Sequence, residues 1–194
     1  MYVINDWYYT IGALDKNTCD RIKNLAVHKW KKAQIEGYVL DENIRKSDCV
    51  AINEQWLFDM LYPYMQEANE KAGWKYDIRA AEKMQITRYK KGQYYNFHKD
   101  GKGDHPSAYD KPDNKFLHGH VRKLSMTVLL NDNYEGGEFQ FAFYKEEKCG
   151  INTPEFNKIG SIIVFPSEME HRVTPVTKGI RYSLVAWFLG PPFK

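Results

Sequence analysis

The sequence reads as an α+β chain in which N-terminal helices back a double-sheet roll, the jelly-roll arrangement. Three observations predict this. Apolar residues recur at helical spacing in two early stretches. From about residue 78 onward the period changes to two. The strand-like segments beyond that point are short and joined mostly by tight turns, which argues for a roll rather than a parallel sheet.

The first helix is expected in LDKNTCDRIKNLAVHKW, where Asp15 can cap the first turn and Cys19, Ile22, Leu25, Ala26 and Trp30 share one stripe, leaving His28 on the polar face. A polar, extended passage through IRKSDCVAIN leads to a second helix from about Glu54 to Lys71. Its stripe is Trp56, Leu57, Met60, Leu61, Tyr64, Met65 and Ala68, and Gly73 stands just past its end. The helical layer thus covers about residues 14–72.

The segments AEKMQITRY, QYYNFHKD, KLSMTVLLND, GEFQFAFY, GSIIVFP, HRVTPV and IRYSLVAWFLG each read as a strand, and together they form a core over about residues 78–190. One connection, residues 101–121, is too long for a hairpin and directly follows His98 and Asp100. A loop of this length in a compact domain is expected to serve as a lid.

With 43% hydrophobic and 15% aromatic residues in 194, the chain can bury a sizeable core and is read as a single domain spanning residues 1–194. Its net charge of +3 comes from 28 Lys+Arg against 25 Asp+Glu without a basic cluster, which argues against a nucleic-acid partner. Cys19, Cys49 and Cys149 are odd in number and far apart, with no C-x-x-C pair, so reduced thiols and a cytoplasmic location are expected. The first residues lack the pattern of an export signal, and no stretch approaches the ~18 apolar residues of a membrane helix.

Within YYNFHKDG, His98 and Asp100 stand two positions apart. Composition alone would give roughly 0.4 such His-x-Asp pairs in this chain, and from the pair alone a polar strand face meeting water is the better explanation. Because strand side chains alternate, the two are expected to point the same way, with Tyr94 and Asn96 beside them. A third residue adds weight: His171 begins a strand after the apolar run SIIVF and a proline-marked turn. Two histidines and one carboxylate on the inner face of a roll form the facial triad of a non-haem iron(II) oxygenase, with positions left open. His105, His118 and His120 lie in the long loop, where ligands are held less well than on a strand.

Arg181 begins IRYSLVAWFLG, a run apolar on both faces, so its guanidinium is expected to be buried and to need an anion. An internal Asp or Glu would satisfy it, as would the carboxylate of a bound small molecule held by two parallel hydrogen bonds. Arg181 follows His171 by ten positions across one tight turn, close enough for both to reach one cavity.

Taken together these residues resemble the iron(II)- and 2-oxoglutarate-dependent dioxygenases of the prolyl 4-hydroxylase-like group, which includes the collagen and the oxygen-sensing prolyl hydroxylases. The likeness runs from YTIGALDKNTCDRI through IRKSDCVAI and QITRYKKGQYYNFHKD to HRVTPVTKGIRYSLVAWF. It implies a double-stranded β-helix core, with His98, Asp100 and His171 as catalytic iron ligands and Arg181 holding the distal carboxylate of 2-oxoglutarate. Tyr89 would line that pocket. Where the oxygen sensors carry a second tyrosine this chain has Leu129, so Thr127 is the expected helper of Arg181. Tyr94, Trp187 and Arg122 would face the substrate.

The resemblance further implies Fe(2+), 2-oxoglutarate and O2 as cofactors, ascorbate as reductant, and a protein or peptide carrying proline as the partner. The reaction would hydroxylate the prolyl residue and release succinate and CO2. Alternatives are hydroxylation of a free amino acid or small metabolite, a cupin-like enzyme without cosubstrate, and a non-enzymatic jelly-roll binding module. Arg181 discriminates against the cupin-like enzyme, and the triad together with it against the module.

Overall fold

The computed structural model describes residues 5–34, 40–101, 107–145 and 148–193. In chain order the elements are β1 (Tyr8–Thr10), α1 (Lys16–Asn24), β2 (Lys31–Lys32), β3 (Arg45–Lys46), β4 (Asp48–Ile52), α2 (Gln55–Lys71), β5 (Ala80–Ala81), β6 (Met84–Lys90), β7 (Tyr94–His98) and β8 (Val121–Leu129). They continue with β9 (Glu135–Gly136), β10 (Phe139–Lys145), β11 (Lys148–Asn152), β12 (Ile162–Pro166), β13 (His171–Val173), β14 (Val176–Lys178) and β15 (Ile180–Gly190).

The major sheet has the order β1-β12-β8-β15-β6-β4-β2, with β5 also pairing β15; the minor sheet has the order β11-β10-β13-β7-β3. A ribbon of β9 and β14 joins them. Every pairing between these strands is antiparallel. From β6 to β15 the long strands alternate between sheets: β6, β8, β12 and β15 lie in the major one, and β7, β10 and β13 in the minor one. This alternation makes the sandwich a roll.

Strand parity explains the two cores. On β8, Leu124, Met126 and Val128 face the helices and share a core with Cys19, Ile22, Leu57, Leu61 and Met65. Leu129, on the opposite face, joins Tyr89, Phe139, Phe141, Ile163 and Phe165 between the two sheets. The second core lies beside the candidate site.

Asp15 caps α1 as its sequence suggests, accepting a hydrogen bond from Thr18 N at 2.7 Å. The helix is shorter than expected, however. It ends at Asn24 because the following turn tightens to three-residue hydrogen bonds (Leu25 N to Ile22 O, Ala26 N to Lys23 O) and His28 takes a left-handed φ of 64°. His28 and Trp30 therefore lie beyond α1 rather than on its faces.

HRVTPV also proves to be two strands. It breaks at Thr174 and Pro175, after which the chain leaves the minor sheet for the ribbon. The passage read as merely extended supplies β4, whose Val50 and Ile52 are buried against β6, and KCGIN forms the unforeseen β11. Residues 102–106 of the long loop, including His105, fall outside the described residues. Its later part folds back on itself, with Tyr109 N donating to His120 O and Gly119 N to Tyr109 O.

Candidate functional site

His98 and His171 are directly paired across β7 and β13, but Val173 pairs with Tyr95, so three steps on β7 match two on β13. This bulge shifts the parity by one. Tyr95 comes to the side of His98, and their rings stack with centroids 3.4 Å apart. Tyr94 and Asn96 do not point with His98 as strict alternation predicted. The Tyr94 hydroxyl donates to Glu42 O at 2.9 Å and the Asn96 amide to Asn43 O at 2.7 Å.

The structure brings together His98, Asp100 and His171, whose candidate ligand atoms all lie within 4.8 Å of one another. Asp100 Oδ1 is 3.9 Å from His98 Nε2, and Asp100 Oδ2 is 3.7 Å from His171 Nε2. Each histidine places Nδ1 2.9 Å from the carbonyl two residues earlier, that of Asn96 or Met169. A carbonyl can only accept, so Nδ1 carries the proton, which in the neutral ring leaves the lone pair on Nε2, facing inward.

Burial, together with the neighbouring His171, lowers the pKa of His98 to about 3. For Asp100 burial raises the value, but the charges of His171, His98 and Arg122 and the hydrogen bond from Ser125 outweigh it and leave the carboxyl at about 2. At neutral pH both groups are proton-free, as metal ligands must be.

Arg181 is 1% exposed. Its Nη1 donates to Ser183 Oγ at 3.1 Å; among the described residues Nε has no partner and no Asp or Glu pairs with the guanidinium. The internal ion pair that could have explained this burial is absent there. Tyr89 is paired with Arg181 across β6 and β15, with the guanidinium 5.6 Å from its ring. Burial pushes the Tyr89 phenol up, partly offset by Arg45 and Arg181, so it remains a protonated donor.

Thr127 is buried on β8 opposite Val185 and Ile163, whereas Ser183 lies opposite Leu129. The hydroxyl that meets Arg181 is therefore that of Ser183, and Thr127 sits farther along toward Asp100. Gly137 presses on the same arginine: at φ +63° it leaves no room for a Cβ, which would stand 3.0 Å from Arg181 Cδ and 2.9 Å from Val176 Cγ2.

Residues 84–189 match the family model of the 2OG-Fe(II) oxygenase superfamily. This chain belongs to that superfamily. Membership implies Fe(2+), 2-oxoglutarate and O2 as the cofactor set. The chain is 30% identical over 107 residues to a PKHD-type hydroxylase of Idiomarina loihiensis, covering 54% of this chain and 41% of that protein. A PKHD-type hydroxylase of Xylella fastidiosa strain M12 is 35% identical over 112 residues, covering 53% of this chain and 42% of its own. The matches thus span less than half the length of these relatives.

Among solved structures, a viral collagen prolyl hydroxylase from Paramecium Bursaria Chlorella virus-1, in complex with 2OG, superposes with a TM-score of 0.67 at 22% identity, covering 96% of this chain and 97% of that one. A Pseudomonas putida prolyl-4-hydroxylase gives a TM-score of 0.64 at 19% identity, covering 94% and 91%. These likenesses establish the fold, a double-stranded β-helix.

Beside the triad lies a largely buried cluster whose pairing the sequence did not reveal. Glu82 grips Arg122 through Nε at 2.6 Å and Nη2 at 2.8 Å, and Tyr109 from the long loop donates to Glu82 at 2.7 Å. The Arg122 guanidinium lies 4.2 Å over the Trp187 ring, whose Nε1 is buried with no acceptor among the described residues. Arg45 stacks 4.6 Å over Tyr95 on the side of the triad. Of these, Arg122 and Trp187 were singled out in the sequence, whereas Glu82, Tyr109 and Arg45 were not. Among the described residues no helix is long and apolar enough to cross a membrane.

Proposed function

We propose that this oxygenase is an iron(II)- and 2-oxoglutarate-dependent dioxygenase that hydroxylates a prolyl residue of a protein or peptide, releasing succinate and CO2. The observation that carries the reading is Arg181, a fully buried cation with an unsatisfied Nε and no carboxylate partner among the described residues. Such a group calls for an anion from outside the chain, and the family's cosubstrate is a dicarboxylate.

Nε2 of His98, Nε2 of His171 and the Asp100 carboxylate would hold the iron, a donor set suited to Fe(II) with open positions. Once bound, the ion with 2-oxoglutarate and O2 supplies the oxidising chemistry, and ascorbate keeps the metal reduced. The protein's part is positioning. Arg181, steered by Ser183 and facing Tyr89, binds the distal carboxylate, with Thr127 lining the way to the metal. Phe139, Phe141 and Phe165 keep water from that wall. On the substrate side Trp187 offers its unpaired Nε1 to a peptide carbonyl, beside the Arg122–Glu82 pair.

A peptidyl substrate is supported by the solved relatives, one of which is a Trichoplax adhaerens prolyl hydroxylase in complex with a hypoxia inducible factor peptide, with a TM-score of 0.65 at 17% identity. We take residues 1–194 as one domain acting on protein rather than nucleic acid, in a cytoplasm that keeps Cys19, Cys49 and Cys149 as thiols. The test supplies Fe(II), ascorbate, 2-oxoglutarate and proline-containing peptides. Succinate formed together with the gain of one oxygen on proline is expected; iron-loaded protein that yields neither with any peptide would refute the reading.

A further inference from the structure

Asp100 is held by two serines whose hydroxyls have no other evident purpose. Ser125 lies on the interior face of β8, fully buried, with Phe165 and Trp187 as its cross-strand neighbours. A hydroxyl among such partners costs free energy unless it is hydrogen-bonded. Ser125 Oγ donates to Asp100 Oδ2 at 2.7 Å and also lies 2.9 Å from Ser167 Oγ. Ser167, 1% exposed in the turn after β12, receives the Asp100 backbone N–H on its carbonyl at 2.8 Å.

The proton count fixes the direction of this chain. An ionised carboxylate can only accept, and a serine has one O–H to give. Ser125 spends its proton on Asp100, so the hydrogen bond between the serines must run from Ser167 Oγ–H to Ser125 Oγ. The result is a relay from Ser167 through Ser125 to Asp100 Oδ2. Among the described residues nothing donates to Oδ1. Three separate pieces of chain, the bend after β7, the middle of β8 and the turn after β12, are stitched at this carboxylate.

We propose that Ser125 and Ser167 are positioning residues for Asp100: their relay fixes the plane of the carboxylate and occupies Oδ2, so that Oδ1 alone is presented to the metal. This rests on the reading of His98, Asp100 and His171 as an iron site. Without the relay the carboxylate is free to turn, presenting both oxygens to the ion or swinging toward Arg122. The relay thus sets both the strength and the coordination number of the site, as hydrogen bonds to metal ligands generally do.

Cobalt(II), titrated alone into the metal-free full chain and followed by calorimetry and by its visible d–d absorption, tests this without turnover. Ser125→Ala should weaken cobalt binding by roughly 10- to 100-fold and change the d–d band as the carboxylate takes a second bond to the ion. Ser125→Thr, which keeps the donor, should restore both, and Ser167→Ala should lie between. If the unsubstituted chain binds cobalt and S125A matches it in affinity and band, the relay is overturned while the iron site stands. If the unsubstituted chain binds no cobalt, the iron-site reading falls and this inference with it. Should S125A lose its fold by circular dichroism, S167A decides, and an unchanged affinity and band there overturns the relay.

Discussion

The imidazoles of His98 and His171 face each other from directly paired residues of β7 and β13, with centroids 4.2 Å apart. Their spacing is therefore set by the hydrogen-bond ladder of the minor sheet, and each ring is locked by the backbone carbonyl two residues earlier, that of Asn96 or Met169. Neither ring is therefore free to turn.

Acid should destabilise the metal-free protein through His98. Its folded-state value is lowered from 6.5 to about 3, so between these values the unfolded chain binds a proton that the fold refuses. Stability is complete above 6.5 and is lost as the pH falls toward 3. Asp100, lowered from 3.8 to about 2, adds a loss of the same sign at lower pH. A plot of Tm against pH for His98→Gln should be flatter across the upper window; a curve parallel to that of the parent would show that His98 is not held neutral.

Replacing Arg181 by methionine should separate binding from folding. No carboxylate among the described residues would be orphaned, so the Tm of the cosubstrate-free protein should hold or rise, as when buried charges give way to apolar groups. Affinity for 2-oxoglutarate should fall roughly 10- to 100-fold, from about 1.5–3 kcal/mol for a charged hydrogen bond. Calorimetry showing unchanged affinity would remove Arg181 from the cosubstrate site.

Glu82→Ala should be costly for the opposite reason. Side chains of Arg122 and Glu82 are 18% and 16% exposed, so the change strands a mostly buried cation, at a cost of about 3 kcal/mol. Chemical denaturation of E82A, R122M and the double variant checks this. The double variant should recover much of the loss, and strictly additive losses would mean that the pair is not coupled.

Gly137→Ala should strain the backbone by about 1–2 kcal/mol and push Arg181 at its Cδ. The expected result is weaker 2-oxoglutarate binding with native metal affinity. Equal losses of both would point to general unfolding instead.

What could be read from the sequence follows from the range of the forces involved. Periodicity is local, so α2 and the strand-and-turn alternation were visible, and so were His98, His171 and Arg181, each placed by its own strand, with Asp100 just past the end of β7. What escaped depends on partners distant in the chain. The bulge that exchanges Tyr94 for Tyr95 exists only in the pairing with β13. Ser183 displaces Thr127 as the hydroxyl at Arg181 because of side-chain reach rather than parity, and the Glu82–Arg122–Tyr109 cluster joins residues 40 and 27 positions apart. The end of α1 was missed because His28 adopts a left-handed φ that its residue type does not announce.

The break at Pro175 sends His171 and Arg181, neighbours along the chain, into opposite layers of the roll. On the proposed reading the two ends of the bound acid are then gripped by different sheets, and the sandwich works as a caliper whose jaw width is the offset between its layers. A homologous acid one carbon shorter or longer would have to slide one layer over the other, against the aromatic packing between them, to be held at both ends.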